Sequence, residues 1–165
     1  MILVKKGPSF VETNYYLTMA ARLATKSTCL RRRCGSVIVN IGPEIVGEGF
    51  NSPPANLETQ RRCLVDKLTY DPKVTDKTCC IHAEQRAILD AHGIDPNKLI
   101  GSRIYFASID EKGNIERAGQ PYCTLCSKLA LDVGVREWVL MQEQGPVIYE
   151  AEEYNDLSFQ FKKSQ

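Results

Sequence analysis

Within this 165-residue chain, His82-Ala83-Glu84 and the later run Cys123-Thr124-Leu125-Cys126 have the types and spacing that suit metal chemistry. Two cysteines three apart share one helix face, so both sulfurs can reach one ion, and a helix N-terminus favours their thiolate form. His82, at the start of another helical run, would be the third ligand. His82 and Glu84 cannot share a mid-helix face, but in a first turn both side chains lean back toward the helix end. One can then bind metal while the other reaches its water. Three ligands leave the fourth position of tetrahedral zinc open, the pattern of a catalytic rather than a structural site. Two thiolates and a neutral imidazole around Zn²⁺ are formally neutral, and such a centre lowers the pKa of bound water toward neutrality.

The elements that must position these groups follow from hydrophobic period and turn residues. Ser9-Phe10-Val11-Glu12 reads as a capping box, and Val11, Tyr15, Met19 and Leu23 predict an amphipathic helix to about residue 26. Ser36 to Asn40 and Glu44 to Phe50 predict a hairpin around Gly42-Pro43. The 28 residues from Asn51 to Thr78 lose all period, too long a stretch for an idle connection, and are read as a functional loop or insert. A helix is expected from His82 to Ala91, closed by Gly93, then a strand over Arg103 to Ser108 and a polar loop from Asp110 to Gln120. The next helix should begin near Cys123 and end at Gly134, before a strand over Glu137 to Met141. Val147-Ile148-Tyr149 reads as an edge strand, and Leu157 to Phe161 as an aromatic tail packing on the body or on a partner subunit. The order α-β-β-α-β-α-β predicts a mixed α/β sandwich whose last strands, joined by a helical crossover, are parallel.

Length and charge bound the rest. At this size a single domain over residues 1–165 can bury a sizeable core without staples, so a metal would serve function rather than rescue the fold. Twenty-one Lys plus Arg against 20 Asp plus Glu leave a net charge of +1, which provides no global field toward nucleic acid or an anionic membrane. No stretch approaches 18 apolar residues and the N-terminus lacks an export pattern, so the expectation is a cytoplasmic protein with reduced thiols among its seven cysteines.

His82-x-Glu84 followed by Pro121-Tyr122-Cys123-x-x-Cys126 resembles the cytidine deaminase-like superfamily of zinc-dependent deaminases. Ser27-Thr28-Cys29 with the arginine run after it, Gly49-Phe50-Asn51-Ser52-Pro53-Pro54-Ala55, and His82-Ala83-Glu84-Gln85-Arg86-Ala87-Ile88 are most similar to its deoxycytidylate deaminase branch. Over roughly residues 12 to 141 the resemblance implies a three-layer α-β-α sandwich with a mixed sheet of about five strands. It also implies a zinc held by His82, Cys123 and Cys126, Glu84 as proton shuttle, Asn51 as a base- or sugar-binding residue, and a homo-oligomer. The implied reaction is hydrolytic deamination of a cytosine nucleotide, dCMP to dUMP first. Because the zinc motif does not read the ring, adenosine in tRNA, guanine, cytidine or another amino-heterocycle stay open as substrates, and so does a noncatalytic zinc-binding scaffold. The near-neutral charge counts against tRNA.

Beyond the motif, Arg31-Arg32-Arg33 could hold a phosphate at the site's rim or form a solvated helix end, with Lys26, Arg61 and Arg62 as weaker candidates. Cys29, Cys63, Cys79 and Cys80 could form a second, structural zinc site, as in some phage members of the branch, or remain buried thiols. Cys34, Tyr105, Phe106 and Trp138 are read as core.

Overall fold

The computed structural model describes residues 1–74, 76–77 and 79–161. Its elements are β1 (Ile2–Leu3), α1 (Pro8–Ala24), β2 (Arg33–Val39), β3 (Ile45–Phe50), α2 (Ala83–Ile94), β4 (Arg103–Ile109), β5 (Ile115–Glu116), α3 (Thr124–Asp132), β6 (Glu137–Gln142), β7 (Gly145–Glu150) and α4 (Ala151–Gln160). The strands form one mixed sheet in the order β1-β7-β6-β4-β2-β3, with β5 paired to β4. That is seven strands where about five were expected, the two additions being the two-residue β1 and β5. β2 runs antiparallel to both β3 and β4, and β4 runs parallel to β6, as the helical crossover through α3 requires.

Alternation along the strands sorts the core into two layers. Val37, Val39, Tyr105 and Val139 pack with α1 on one face of the sheet. Ile38, Ile104, Phe106, Trp138 and Leu140 pack with α2, α3 and α4 on the other. The three-layer sandwich is therefore present, with one helix against three.

Several local expectations need correction. The face of α1 that meets the sheet is Thr13, Tyr16, Leu17, Ala20 and Ala24, while Val11 and Tyr15 are exposed. The reason lies in β2. A Cβ on Gly35 would stand 2.0 Å from the Ala20 carbonyl oxygen and 2.5 Å from the Ala24 nitrogen, so the helix backbone lies directly on the strand. Only small residues fit at that contact, so Val11 and Tyr15 of the expected stripe are turned away, while Leu23 is buried and Met19 packs against the same core. The helix starts from Gly7 and Pro8 with no side-chain cap, so the Ser9 capping box does not form. α2 continues through Gly93 to Ile94 and stops at Asp95, held extended at φ −158° ahead of Pro96. The 147–149 strand is not at the edge, because β1 covers it through Ile2↔Ile148 and Leu3↔Val147. The expected tail is helix α4, anchored by Tyr154 stacked on Trp138 with ring centroids 4.1 Å apart. Phe161 then packs against Tyr122 at 5.5 Å, on the body of the molecule.

β3 and β4 point the same way, and α2 and α3 follow them in sequence. Both helices therefore begin at the sheet edge where those strands end, as in open α/β sheets whose sites lie beyond the carboxyl ends of strands.

Candidate active site

His82 is the N-cap residue of α2 and Cys123 that of α3, with Cys126 one turn further on. The Gln85 side chain accepts a hydrogen bond from the His82 backbone N–H at 2.9 Å, and Cys123 Sγ accepts one from Cys126 N–H at 3.5 Å, so each helix start is tied by its own first turn. The three side chains converge. His82 Nδ1 lies 3.2 Å from Cys126 Sγ and 3.3 Å from Cys123 Sγ, and the two sulfurs are 3.2 Å apart. All three are candidate ligands for one metal ion. The donor set fits zinc: two sulfurs and one imidazole nitrogen, with no fourth protein ligand in the group among the described residues.

The electrostatics fit as well. A hydrogen bond from the neighbouring Cys126 thiol holds Cys123 down at about 4, which in turn raises Cys126. The hydrogen bond to Cys123 pushes His82 up to about 9. Protons are thus shared among three groups that a metal would bind in their deprotonated forms. Glu84, buried at 6% exposure in the first turn of α2, is pushed up to about 7 chiefly by loss of solvent. A carboxyl group poised near neutrality can both take up and return a proton.

His82 and Glu84 line a cleft of about 190 Å³ together with Asn51, Arg31, Arg32 and Tyr122. Asn51 is well fixed. Its Oδ1 accepts from Cys34 N–H at 2.8 Å and from the Ser27 hydroxyl at 2.6 Å, and its Nδ2 donates to the Arg32 carbonyl at 2.8 Å. Arg31 reaches the carbonyl oxygens of Cys63 and Val65, and Arg32 reaches Ser108 Oγ and the Arg117 carbonyl. Arg33 is not among the cleft's lining residues; its guanidinium donates to the Asp110 carbonyl oxygen in a separate depression. Lys26 and Arg86 likewise lie in another depression, where Arg86 donates to Ser52 Oγ and the Pro53 carbonyl. Arg61 is paired with Glu58, and Arg62 donates to nearby backbone carbonyls of its own turn. Cys29, Cys63, Cys79 and Cys80 all border the cleft.

Cys34, Lys67 and Phe106 line the cleft without having been read as cleft residues from the sequence. Lys67, exposed on a short turn of the 51–78 stretch, also lines the cleft, and nothing local in an aperiodic stretch marks it. Phe106 is a buried strand residue, as expected, yet it also forms part of the cleft wall.

Comparison with known proteins agrees with this geometry. Residues 11–142 match the family model of the cytidine and deoxycytidylate deaminase zinc-binding region. A deoxycytidylate deaminase of Schizosaccharomyces pombe is 31% identical over 83 residues, 47% of this chain but only 25% of that protein. The deoxycytidylate deaminase of Mus musculus is 28% identical over 149 residues, 87% of this chain and 72% of that protein. In fold, the dCMP deaminase of cyanophage S-TIM5, solved with dCMP and dUMP, superposes with a TM-score of 0.54 at 21% identity, covering 81% of this chain and 82% of the other. Among the described residues no helix is long and apolar enough to cross a membrane.

Proposed function

This chain belongs to the cytidine and deoxycytidylate deaminase zinc-binding family, and from that premise we propose that it is a hydrolytic deaminase of a cytosine nucleotide, with dCMP as substrate and dUMP as product. The observation that carries this reading is the buried Glu84 carboxyl in the same helix turn as His82, whose imidazole meets Cys123 and Cys126.

His82, Cys123 and Cys126 would hold the zinc. When bound, it supplies activation of water at neutral pH and charge stabilisation at the reacting carbon. Glu84 takes a proton from the attacking water at its carboxylate oxygen and passes it to ring nitrogen 3, then takes the second proton of that water from the new hydroxyl on carbon 4 and passes it to the departing amino group. Water and the cytosine thereby become uracil and ammonia with no net gain or loss of protons at Glu84. Asn51, with one N–H of its amide not taken up by the Arg32 carbonyl, would meet the sugar or base. Arg31, Arg32 and Lys67 give the cleft a positive rim for a phosphate. Seven cysteines, none in a disulfide, suit a reducing compartment such as the cytoplasm. The same reading includes a homo-oligomer, which sedimentation can test.

The test is ammonia release over dCMP, deoxycytidine, cytosine, guanine, adenosine nucleotides and tRNA. Turnover greatest on dCMP supports the proposal. Turnover on a purine or on tRNA alone would replace the substrate, and no turnover by zinc-loaded protein on any of them would favour a noncatalytic scaffold.

A further inference from the structure

Tyr122 is 46% exposed although its neighbours in sequence, Pro121 and Cys123, are both buried. It lines the cleft with His82, Glu84 and Asn51. A second aromatic side chain meets it there. Phe161, at the end of α4 and itself 44% exposed, has its ring centroid 5.5 Å from that of Tyr122, with the two planes at 47°. We propose that the Tyr122 ring, backed by Phe161, is the wall against which the pyrimidine ring of the substrate lies, so that this pair sets the affinity for the base. Such a role rests on the cleft being a cytosine-nucleotide site.

The wall stands in a fixed relation to the metal-ligand group. Tyr122 directly precedes Cys123, the N-cap of α3, and Phe161 is the residue at which α4 stops. The two helices are tied to each other where the Ser127 hydroxyl donates to Asn155 Oδ1 at 2.8 Å. Tyr154 on Trp138 holds α4 to the sheet, and the Phe161 backbone N–H returns to the Ser158 carbonyl at 3.4 Å. One ring is thus placed from the start of α3 and its support from the end of α4. A substrate approaching Glu84 meets an aromatic surface whose position is already set, which lowers the ordering cost of binding.

The chemistry of the lining says what such a surface would take. A nucleobase is a flat ring with polar edges, and it gains from an aromatic side chain through its face, whichever groups read its edge. The cleft is divided in the same way. Asn51 and Glu84 bring polar atoms suited to an edge, while Ala83, Phe106 and Tyr122 are apolar or aromatic. Phe106 is only 7% exposed and offers little open face, which leaves Tyr122 as the ring available for stacking.

The test is kcat and KM for dCMP, with calorimetric Kd values for dUMP and for deoxyribose 5-phosphate, in zinc-loaded wild type, Tyr122→Ala, Tyr122→Phe, Phe161→Ala and Phe161→Tyr. Tyr122→Ala should raise KM and the dUMP Kd about tenfold, with kcat falling far less. Deoxyribose 5-phosphate carries the sugar and phosphate without the base, so its Kd should not follow. Tyr122→Phe keeps the ring and should recover most of the loss. Phe161→Ala should raise the same two constants about threefold, and Phe161→Tyr should restore them. Phe159→Ala, on the same helix and 66% exposed, should change none of these values. Should Tyr122→Ala fail to fold or lose its zinc, the two Phe161 variants decide. A dUMP Kd unmoved by Tyr122→Ala and Phe161→Ala, in protein that still turns over dCMP, would overturn the wall and leave the deaminase reading in place. Equal weakening of dUMP and deoxyribose 5-phosphate would also overturn it, as a general loosening of the cleft. Wild type that binds dUMP through Tyr122 yet deaminates nothing would support the wall and strike the catalysis, and wild type that binds no dUMP would end both.

Discussion

Arg31 donates through Nε to the carbonyl oxygen of Cys63 at 2.8 Å, tying the rim of the cleft to the middle of a loop 32 residues away in sequence. Its Nη2 also reaches the Val65 carbonyl at 3.3 Å, so two of its nitrogens are turned to the loop. A residue shared in this way should couple loop order to phosphate recognition.

Arg31→Ala is accordingly expected to reduce kcat/KM for dCMP by about tenfold to a hundredfold, the range of one lost hydrogen bond to a charged group, roughly 1.5–3 kcal/mol. Deoxycytidine turnover should change much less. Arg33→Ala, which removes a bond to the Asp110 carbonyl outside the cleft, should leave the nucleotide preference intact. Arg31→Lys should recover part of the loss, since an ammonium cannot reproduce the guanidinium fork. Kinetics on the nucleotide and nucleoside pair check this; a preference untouched by Arg31→Ala, Arg32→Ala and Lys67→Ala together would place the phosphate elsewhere.

Glu84→Gln should keep the zinc and lose turnover by about 10²-fold to 10⁴-fold, because the amide has nearly the same shape but cannot carry a proton. Metal analysis and single-turnover assays on one preparation separate the roles. Activity within a few-fold of wild type would rule out Glu84 as proton carrier, and zinc lost together with activity would make it a ligand or structural residue.

What could be read from the sequence and what could not follow a physical division. The first cluster is legible because its ligands sit at local positions, helix N-caps and one turn beyond, so short-range spacing already fixes their facing. The second cysteine group draws on residues from 29 to 80 with no period connecting them, so the family resemblance rather than spacing points to it, and the structure brings Cys29, Cys63 and Cys80 together. The partners of Arg31 and Arg33 are backbone carbonyls, which every residue carries, so side-chain chemistry gives no hint of where those guanidinium groups go. In α1 the first half of the expected stripe, Val11 and Tyr15, lies outside the core while Leu23 is buried, because Gly35 brings the helix backbone against the sheet, a contact visible only once β2 is in place. α4 went unread because its burial rests on Ala151, Tyr154 and Ser158, a pattern with a single large side chain.

Close approach also governs where α2 sits. A Cβ on Gly49 would stand 2.1 Å from the Ala83 carbonyl oxygen and 2.6 Å from the Ala87 nitrogen, both backbone atoms of the helix that carries Glu84. Gly49→Ala should therefore push the start of α2 off the sheet, at a cost of about 1–3 kcal/mol, and weaken zinc retention. Gly93, in the last turn of the same helix, has nothing within 4 Å of an added Cβ, so Gly93→Ala should stabilise by about 0.5–1 kcal/mol. At roughly 2–4 °C per kcal/mol, thermal melts resolve the two signs. Equal Tm values for the two variants would contradict the packing argument.

Cys34 offers a pH-dependent check on the cleft floor. Burial first, and then the negative charge of Glu84, push its thiol up to about 12, against about 8.5 in an unfolded chain. Between those values the folded protein keeps a proton that the unfolded chain releases, so this contribution to stability is fully present below about pH 8.5 and is lost as pH rises toward 12. Native protein at pH 8 should leave Cys34 unalkylated by iodoacetamide while the denatured chain reacts fully, as peptide mapping would show. Cys34→Ser, lacking this titration, should lose stability less steeply above pH 9 in denaturant titrations. Rapid native alkylation at Cys34, or identical alkaline slopes for wild type and variant, would mean that the thiol is open to solvent and that the cleft floor is not closed around it.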